Sequence, residues 1–182
     1  MTKQKQLNVI LLGAPGAGKG TQAVTLSKKL GLVHIATGDL FRKEQESGSE
    51  LGKTAKSYME KGQLVPDEIT VKMLLGRISA PDCAKGFILD GFPRTLEQAK
   101  ALGKALAAQK QSIDMVLYIK VSNKELLRRL SGRWICRDCQ APYNIVEKPP
   151  KTKGKCDTCG GELYQRADDT EETARKRLDV YF

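Results

Sequence analysis

Residues 13–21 read Gly-Ala-Pro-Gly-Ala-Gly-Lys-Gly-Thr and follow the apolar run Val9, Ile10, Leu11, Leu12. The chemistry open to such a segment is phosphate binding. Glycines let successive backbone N–H groups turn inward around an anion. A helix starting at the end of the loop adds the positive end of its dipole. Lys19 can then reach the outer phosphates of a nucleotide. In the general pattern a Ser or Thr follows the lysine directly and holds magnesium. Here Gly20 occupies that place and the hydroxyl comes one position later, at Thr21. The competing reading is a glycine-rich turn with a surface lysine. The strand–loop–helix context disfavours it.

A second group is built from sulfur. Of the five cysteines, Cys136 and Cys139 form one C-x-x-C and Cys156 and Cys159 a second. Two such pairs suit a four-thiolate zinc site, each pair supplying two ligands from a tight knuckle. Disulfides are the weaker reading for a chain expected in the cytoplasm. Four protein ligands close a metal's coordination, so the expected role is to staple a small module rather than do chemistry. Cys83 has no sequence partner and reads as an ordinary thiol.

Charged side chains supply a third group. Arg42 follows Thr37-Gly38-Asp39, and Arg94 follows Asp90-Gly91-Phe92-Pro93. Arg129 and Arg133 precede the cysteine module; Arg166, Arg175 and Arg177 follow it. Any one of them taken alone reads as a solvated surface charge. As a set, several fall where the chain leaves a strand or enters the module, the places where α/β sheets build their sites. Phosphoryl transfer needs such an array, because guanidinium forks stabilise charge spread over the migrating group. Asp90, ending a buried strand, suits an acid that positions magnesium through water; the alternative is a turn-capping aspartate. The single histidine, His34, has no acidic neighbour in sequence and reads as structural, and Trp134 reads as packing.

Positioning these groups falls to alternating strands and helices. The pattern predicts strands at 9–12, 32–35, 87–89 and 115–121. It predicts helices at 21–30, 39–46, 51–60, 67–79, 95–108, 123–130 and 171–180. Alternation of this kind means a parallel sheet covered on both faces by helices. Residues 132–169 break the rhythm with four cysteines, Pro142, Pro149, Pro150 and Gly160-Gly161, and read as an inserted module. The length of 182 residues suits one main domain with an insertion. No stretch approaches the ~20 apolar residues of a membrane span, and the polar start at 1–6 does not read as a signal peptide. A net charge of +10 favours anionic partners. No aromatic-basic repeat or long basic block argues for nucleic acid.

Together these segments resemble the adenylate kinases of bacteria, in the form with a long zinc-bearing lid. The matching pieces are 13–21, Thr37-Gly-Asp-Leu-Phe-Arg42, Gly62-Gln-Leu-Val-Pro-Asp67, Leu89-Asp-Gly-Phe-Pro-Arg94 with Gln98, Gly132-Arg133, the four cysteines, and Gln165-Arg-Ala-Asp-Asp169 with Arg177. The shifted threonine is also how that family writes the loop. The resemblance implies a P-loop NTPase-like α/β fold and the reaction ATP + AMP = 2 ADP, with ATP, AMP and ADP as small-molecule partners. It also implies magnesium with ATP, structural zinc, a monomer, and no nucleic acid or membrane. Gly16, Ala17, Gly18, Lys19, Gly20, Thr21, Arg133, Pro142 and Tyr143 would contact ATP. Thr37, Arg42, Gln63, Leu64, Val65, Gly91, Phe92, Pro93, Arg94, Gln98, Arg166 and Arg177 would contact AMP. The charges acting on the transferring group would be Lys19, Arg94, Arg129, Arg133, Arg166 and Arg177.

By the same resemblance, residues 1–35, 66–131 and 170–182 form a core, 36–65 an AMP-binding segment and 132–169 the lid. Asn144 stands where the family often has histidine. Members of the family continue with a further parallel strand and a terminal helix, so the resemblance implies a chain truncated at its C-terminus, with an apolar sheet edge left open. Two alternatives stand beside this reading: another nucleoside monophosphate kinase or a GTP:AMP phosphotransferase, and a zinc-ribbon nucleic-acid binder. Gln98 and Thr37 favour AMP as acceptor; the phosphate loop with 90–94 argues against the ribbon.

Overall fold

The computed structural model describes residues 6–182. They divide into two compact units. The first takes the described residues up to Gly13, Gly18–Tyr58 and Leu64–Ile119; the second takes Ala14–Ala17, Met59–Gln63 and Lys120–Phe182.

In the first unit four strands form one parallel sheet: β1 (Leu7–Leu12), β2 (Val33–Ala36), β3 (Gly86–Asp90) and β4 (Met115–Tyr118), in the order β2-β3-β1-β4. Alternation along the strands sends side chains to two cores. Ile10, Ile35, Phe87 and Leu89 face one side, where Leu74 and Ile78 of α4 (Asp67–Ile78) and Leu102 and Leu106 of α5 (Leu96–Ala108) cover them. Val9, Leu11 and Ile88 face the other, against Ala23 of α1 (Lys19–Leu30). The doubly covered sheet read from the sequence is therefore present.

The helices α2 (Thr37–Glu46) and α3 (Glu50–Met59) follow β2. A Cβ on Gly52 of α3 would collide with the backbone at Glu44 and Gln45, so glycine there sets how closely the two helices meet. The register aligns Asp90 with Leu11 and Ala36, which brings Gly13, Thr37 and Gly91 out at the same carboxyl end of the sheet. Ligand sites of open α/β sheets form at that end. On β4 the side chains of Met115, Val116, Leu117 and Tyr118 are exposed.

In the second unit, α6 (Asn123–Ser131) leads into a three-stranded antiparallel sheet of order β6-β5-β7: β5 (Arg133–Cys136), β6 (Pro142–Asn144) and β7 (Leu163–Tyr164). A 3-10 turn, Ala167–Asp169, precedes α7 (Glu171–Tyr181), whose N-cap Thr170 accepts a hydrogen bond from the Thr173 amide. Cys136, Tyr143, Cys156 and Leu163 form a small core of their own, with Trp134 packed beside it.

Sequence and structure differ at element ends. Helix α1 begins at Lys19, two residues before the expected start, because left-handed Gly18 sets the start of the helix directly before the lysine. Strand β4 ends at Tyr118 instead of 121: after the Ile119 amide bonds to the Leu12 carbonyl, β1 has no further residue to pair. No helix among the described residues is long and apolar enough to cross a membrane.

Candidate active site and metal centre

The phosphate loop gets its shape from glycine. Gly13, Gly16 and Gly18 have φ of 146°, 82° and 94°, values that L side chains rarely adopt. A Cβ on Gly16 would also stand 2.9 Å from the Leu126 carbonyl and from Leu130 Cγ of α6, so substitution there meets packing as well as strain. Lys19 donates from Nζ to the Gly13 carbonyl at 2.8 Å, which draws its ammonium back onto the start of the loop.

Asp90 lies close to the displaced position. Its Oδ2 would lie 3.3 Å from a Cβ on Gly20, a tight contact, so glycine there lets the first turn of α1 approach the carboxylate without crowding. An anionic oxygen beside the phosphate loop fits a hard cation such as magnesium. His34 also approaches this carboxylate, its Nε2 3.7 Å from Asp90 Oδ2. The sequence offered His34 no acidic neighbour; the β2–β3 pairing supplies one.

The residues expected around AMP are joined by their own hydrogen bonds. The Thr37 hydroxyl donates to the Gly91 carbonyl at 3.0 Å, and Arg94 Nε donates to the same carbonyl at 2.7 Å. Arg42 pairs with Asp39 at 2.5 Å. Gln98 is fully buried: its Oε1 accepts from the Arg94 amide at 2.7 Å and its Nε2 donates to Asp67 Oδ1 at 2.6 Å. Asp67 also accepts from the Thr95 hydroxyl at 2.7 Å. The amide expected to contact AMP is here a brace between α4 and the loop carrying Arg94, and its side chain could contact a ligand only by exchanging those bonds. The ring of Phe92 and the side chain of Val65 are buried.

In the second unit Asp169 organises the cations. It is completely buried and takes a two-pronged bond from Arg133, through Nε at 2.7 Å and through Nη2. Arg177 Nη1 donates to Asp169 Oδ1 at 2.9 Å and to the Asp168 carbonyl at 2.7 Å. Arg166 begins the 3-10 turn between them. Arg129 bonds Glu125 at 2.7 Å, and the Arg129 and Arg128 guanidiniums hold that carboxyl below its usual range. Neither Asp67 nor Asp169 carried a role in the sequence reading. The available signal was the acidic pair 168–169 flanked by Arg166 and Arg177.

The four cysteines converge. One sulfur from each lies within 4.8 Å of all the others. Cys136 and Cys159 are 3.4 Å apart and Cys139 and Cys156 3.5 Å, too far for covalent S–S bonds. A tetrahedral ion at ~2.3 Å from each sulfur needs sulfurs roughly 3.8 Å apart, so this cluster fits a metal after small shifts of the sulfurs. Gly161 lets the second knuckle close, since a Cβ there would run into Asp138 and Cys136 Sγ. The Tyr143 hydroxyl, with backbone donors, brings the Cys156 thiol down to about 6. At Cys139 the bond to the Ala141 backbone also pulls downward, but the neighbouring thiols and burial outweigh it and push the thiol up to about 12. Tyr143, expected against ATP, is buried with its hydroxyl at Cys156, so its ring faces the sulfur cluster. Asn144 caps the turn after β6, accepting from the Val146 and Glu147 amides at 3.0 Å, and donates to the Arg129 carbonyl at 3.4 Å.

The sequence profile of the adenylate kinases matches residues 11–182. An adenylate kinase of Caldicellulosiruptor bescii is 55% identical over 175 residues, 96% of this chain and 81% of the relative. One from Dehalococcoides mccartyi strain BAV1 is 59% identical with the same coverage, and one from Methanocella arvoryzae 54%. The chain belongs to the adenylate kinase family. It is a nucleotide-binding phosphotransferase of the reaction ATP + AMP = 2 ADP. Of the positions that the resemblance to adenylate kinases marked, the first unit holds Gly18, Lys19, Gly20, Thr21, Thr37, Arg42, Leu64, Val65, Asp90–Arg94 and Gln98. The second holds Gly16, Ala17, Gln63, Arg129, Arg133, Pro142, Tyr143, Arg166, Arg177 and the cysteines.

Proposed function

We propose that this chain runs the adenylate kinase reaction by charge positioning, with Lys19 on the transferring phosphoryl group. The preformed loop carries this reading: three glycines at positive φ with the Lys19 ammonium drawn back to the Gly13 carbonyl. An incoming phosphate would exchange that carbonyl for a full anion, a stronger partner for an ammonium. Gly16–Thr21 would cradle the ATP phosphates, with Arg133 and the backbone of Pro142 and Tyr143 beside them. Thr37, Arg42, Gln63–Val65, Gly91–Arg94 and Gln98 would hold AMP. Arg94, Arg129, Arg133, Arg166 and Arg177 would neutralise charge on the equatorial oxygens, the work phosphoryl transfer asks of a protein.

Asp90 would hold magnesium through water, and magnesium bound there neutralises phosphate charge. The thiolate set favours zinc at the four cysteines, as a structural ion. Residues 36–65 and 132–169 would be the covering segments that keep water from the phosphoryl group. A cytoplasmic monomer without nucleic-acid partners completes the reading.

The test is coupled ADP formation from ATP, AMP and magnesium, with the parent chain and Lys19→Ala. Activity in the parent, reduced about a hundredfold or more in the variant, is expected for loss of one preorganised charge. Equal rates in the two proteins, or no activity in the parent, would refute the proposal.

A further inference from the structure

Tyr143 has a task that nucleotide binding does not explain. Its oxygen accepts from the Asp157 amide at 2.7 Å, which leaves its own proton for another acceptor. Cys156 Sγ is 3.4 Å away, within range of an O–H···S bond. The same sulfur accepts from the Thr158 amide at 3.4 Å. Among the described residues, no other of the four clustered cysteines has a hydroxyl side chain on its sulfur. Tyr143 is held there by pairing with Trp134 across β5 and β6 and by burial in the small core around Cys136, Cys156 and Leu163.

From this geometry we infer that Tyr143 is a positioning residue of the metal centre: its hydroxyl donates to the Cys156 thiolate and sets how tightly the cysteine module keeps its ion. The inference rests on the reading of the four cysteines as a metal site. When the metal is bound, Cys156 is a thiolate and has no proton to give, so the hydrogen bond can run only from tyrosine to sulfur. Such a donor fixes the ligand's orientation and takes up part of the charge that four thiolates place around one divalent ion. Partners outside the ligand set commonly change metal affinity 10–100-fold when removed.

The test loads the full chain with Co2+, whose thiolate charge-transfer band reports the sulfur environment, and compares the parent with Tyr143→Phe. Tyr164→Phe serves as matched control; its ring stacks under the Arg137 guanidinium at 4.6 Å. Phenylalanine keeps the ring and removes only the hydroxyl. Affinity is read by competition with a chromophoric chelator. Expected for Tyr143→Phe is a 10–100-fold loss of Co2+ affinity and a charge-transfer band moved to lower energy, because an unbonded thiolate gives up its electrons more easily. Packing alone would move neither the band nor the control. A parent chain with no thiolate–Co2+ band would overturn the metal reading and this inference with it. A normal parent band with Tyr143→Phe unchanged in affinity and band position would overturn this inference alone.

Discussion

Asp169→Ala is the sharpest test of how the second unit holds its cations. The carboxylate has no solvent exposure, while the side chains of its partners Arg133 and Arg177 are 25% and 18% exposed. Removing the anion leaves two partly buried guanidiniums without it. Losing one partner of a buried pair costs about 3–5 kcal/mol. The partial exposure of the arginines, and the Asp168 carboxylate that stays 3.0 Å from Arg177, place the expected loss near the lower end, about 3 kcal/mol. With a urea m-value of about 2 kcal/mol/M, the midpoint falls by about 1.5 M. The assay is urea unfolding followed by the fluorescence of Trp134, the only tryptophan, which adjoins Arg133 on β5 and so reports this unit. Asp169→Asn keeps the volume and one acceptor and should fall between parent and alanine. A midpoint shift below about 0.5 M for Asp169→Ala, or less than about 1 kcal/mol, would refute the reasoning. It would mean that the arginines reach water freely once the anion is gone.

Gly20→Ala places a Cβ 3.3 Å from Asp90 Oδ2; the helix should gain up to about 1 kcal/mol in propensity, while kcat with MgATP drops about tenfold, consistent with a displaced charge. A variant with parental kcat would show that the Asp90 position does not matter. Gln98→Leu leaves the Asp67 carboxylate short of a donor and frees the Arg94 amide, so it should lose about 1–3 kcal/mol of stability. Its KM for AMP should rise more than its KM for ATP, checked by varying each nucleotide in turn. Cys136→Ser, or chelation of the parent, should lower the midpoint seen by Trp134. Metal content, measured by elemental analysis, should fall in parallel; an unchanged midpoint with full metal content would reject the four-cysteine site.

The sheet and the loop were legible because their signals are local. An apolar run, glycines and a lysine occupy consecutive positions, and the helix stripes repeat at 3.6 residues. The four-cysteine cluster was legible for the same reason, since each knuckle is a C-x-x-C. What sequence did not reveal are partners brought together by pairing across strands or helices. Asp90 and His34 meet only through the β2–β3 register. Gln98 and Asp67, 31 residues apart, meet through the packing of α5 on α4. Arg133 finds Asp169 36 positions on, a spacing with no periodic signature. The Tyr143 side chain was expected toward ATP only through the resemblance to adenylate kinases, not from any local signal. The alternation of β6 instead buries Tyr143 and leaves its neighbours Pro142 and Asn144 less covered.

The partners of the cations seen here differ in kind, which bears on how each would turn to phosphate under the proposed function. Lys19 holds a neutral carbonyl, and Arg94 bonds the Gly91 carbonyl through Nε. An anion replaces a neutral acceptor with a net gain, since charge-assisted bonds are roughly twice as strong. Arg42 holds an Asp39 that is 59% exposed, and exposed pairs are worth little, about 0–1 kcal/mol. Arg133 and Arg177 are different: their buried carboxylate cannot be left bare, so under the proposed function they would address phosphate while keeping Asp169. A guanidinium has five N–H donors, and Arg133 directs Nε and Nη2 at Asp169. This division suits two kinds of task. Under the proposed function, Lys19, Arg94 and Arg42 would exchange weaker partners for a ligand, whereas Arg133 and Arg177 would be oriented in advance and lose little freedom on engaging one. Lysine cannot substitute at the second kind of position, because a single ammonium has no planar fork to hold aspartate on one edge and phosphate on another. Arg133→Lys should therefore lose much of what Arg133→Ala loses, while Arg42→Lys should retain more of its parent's activity.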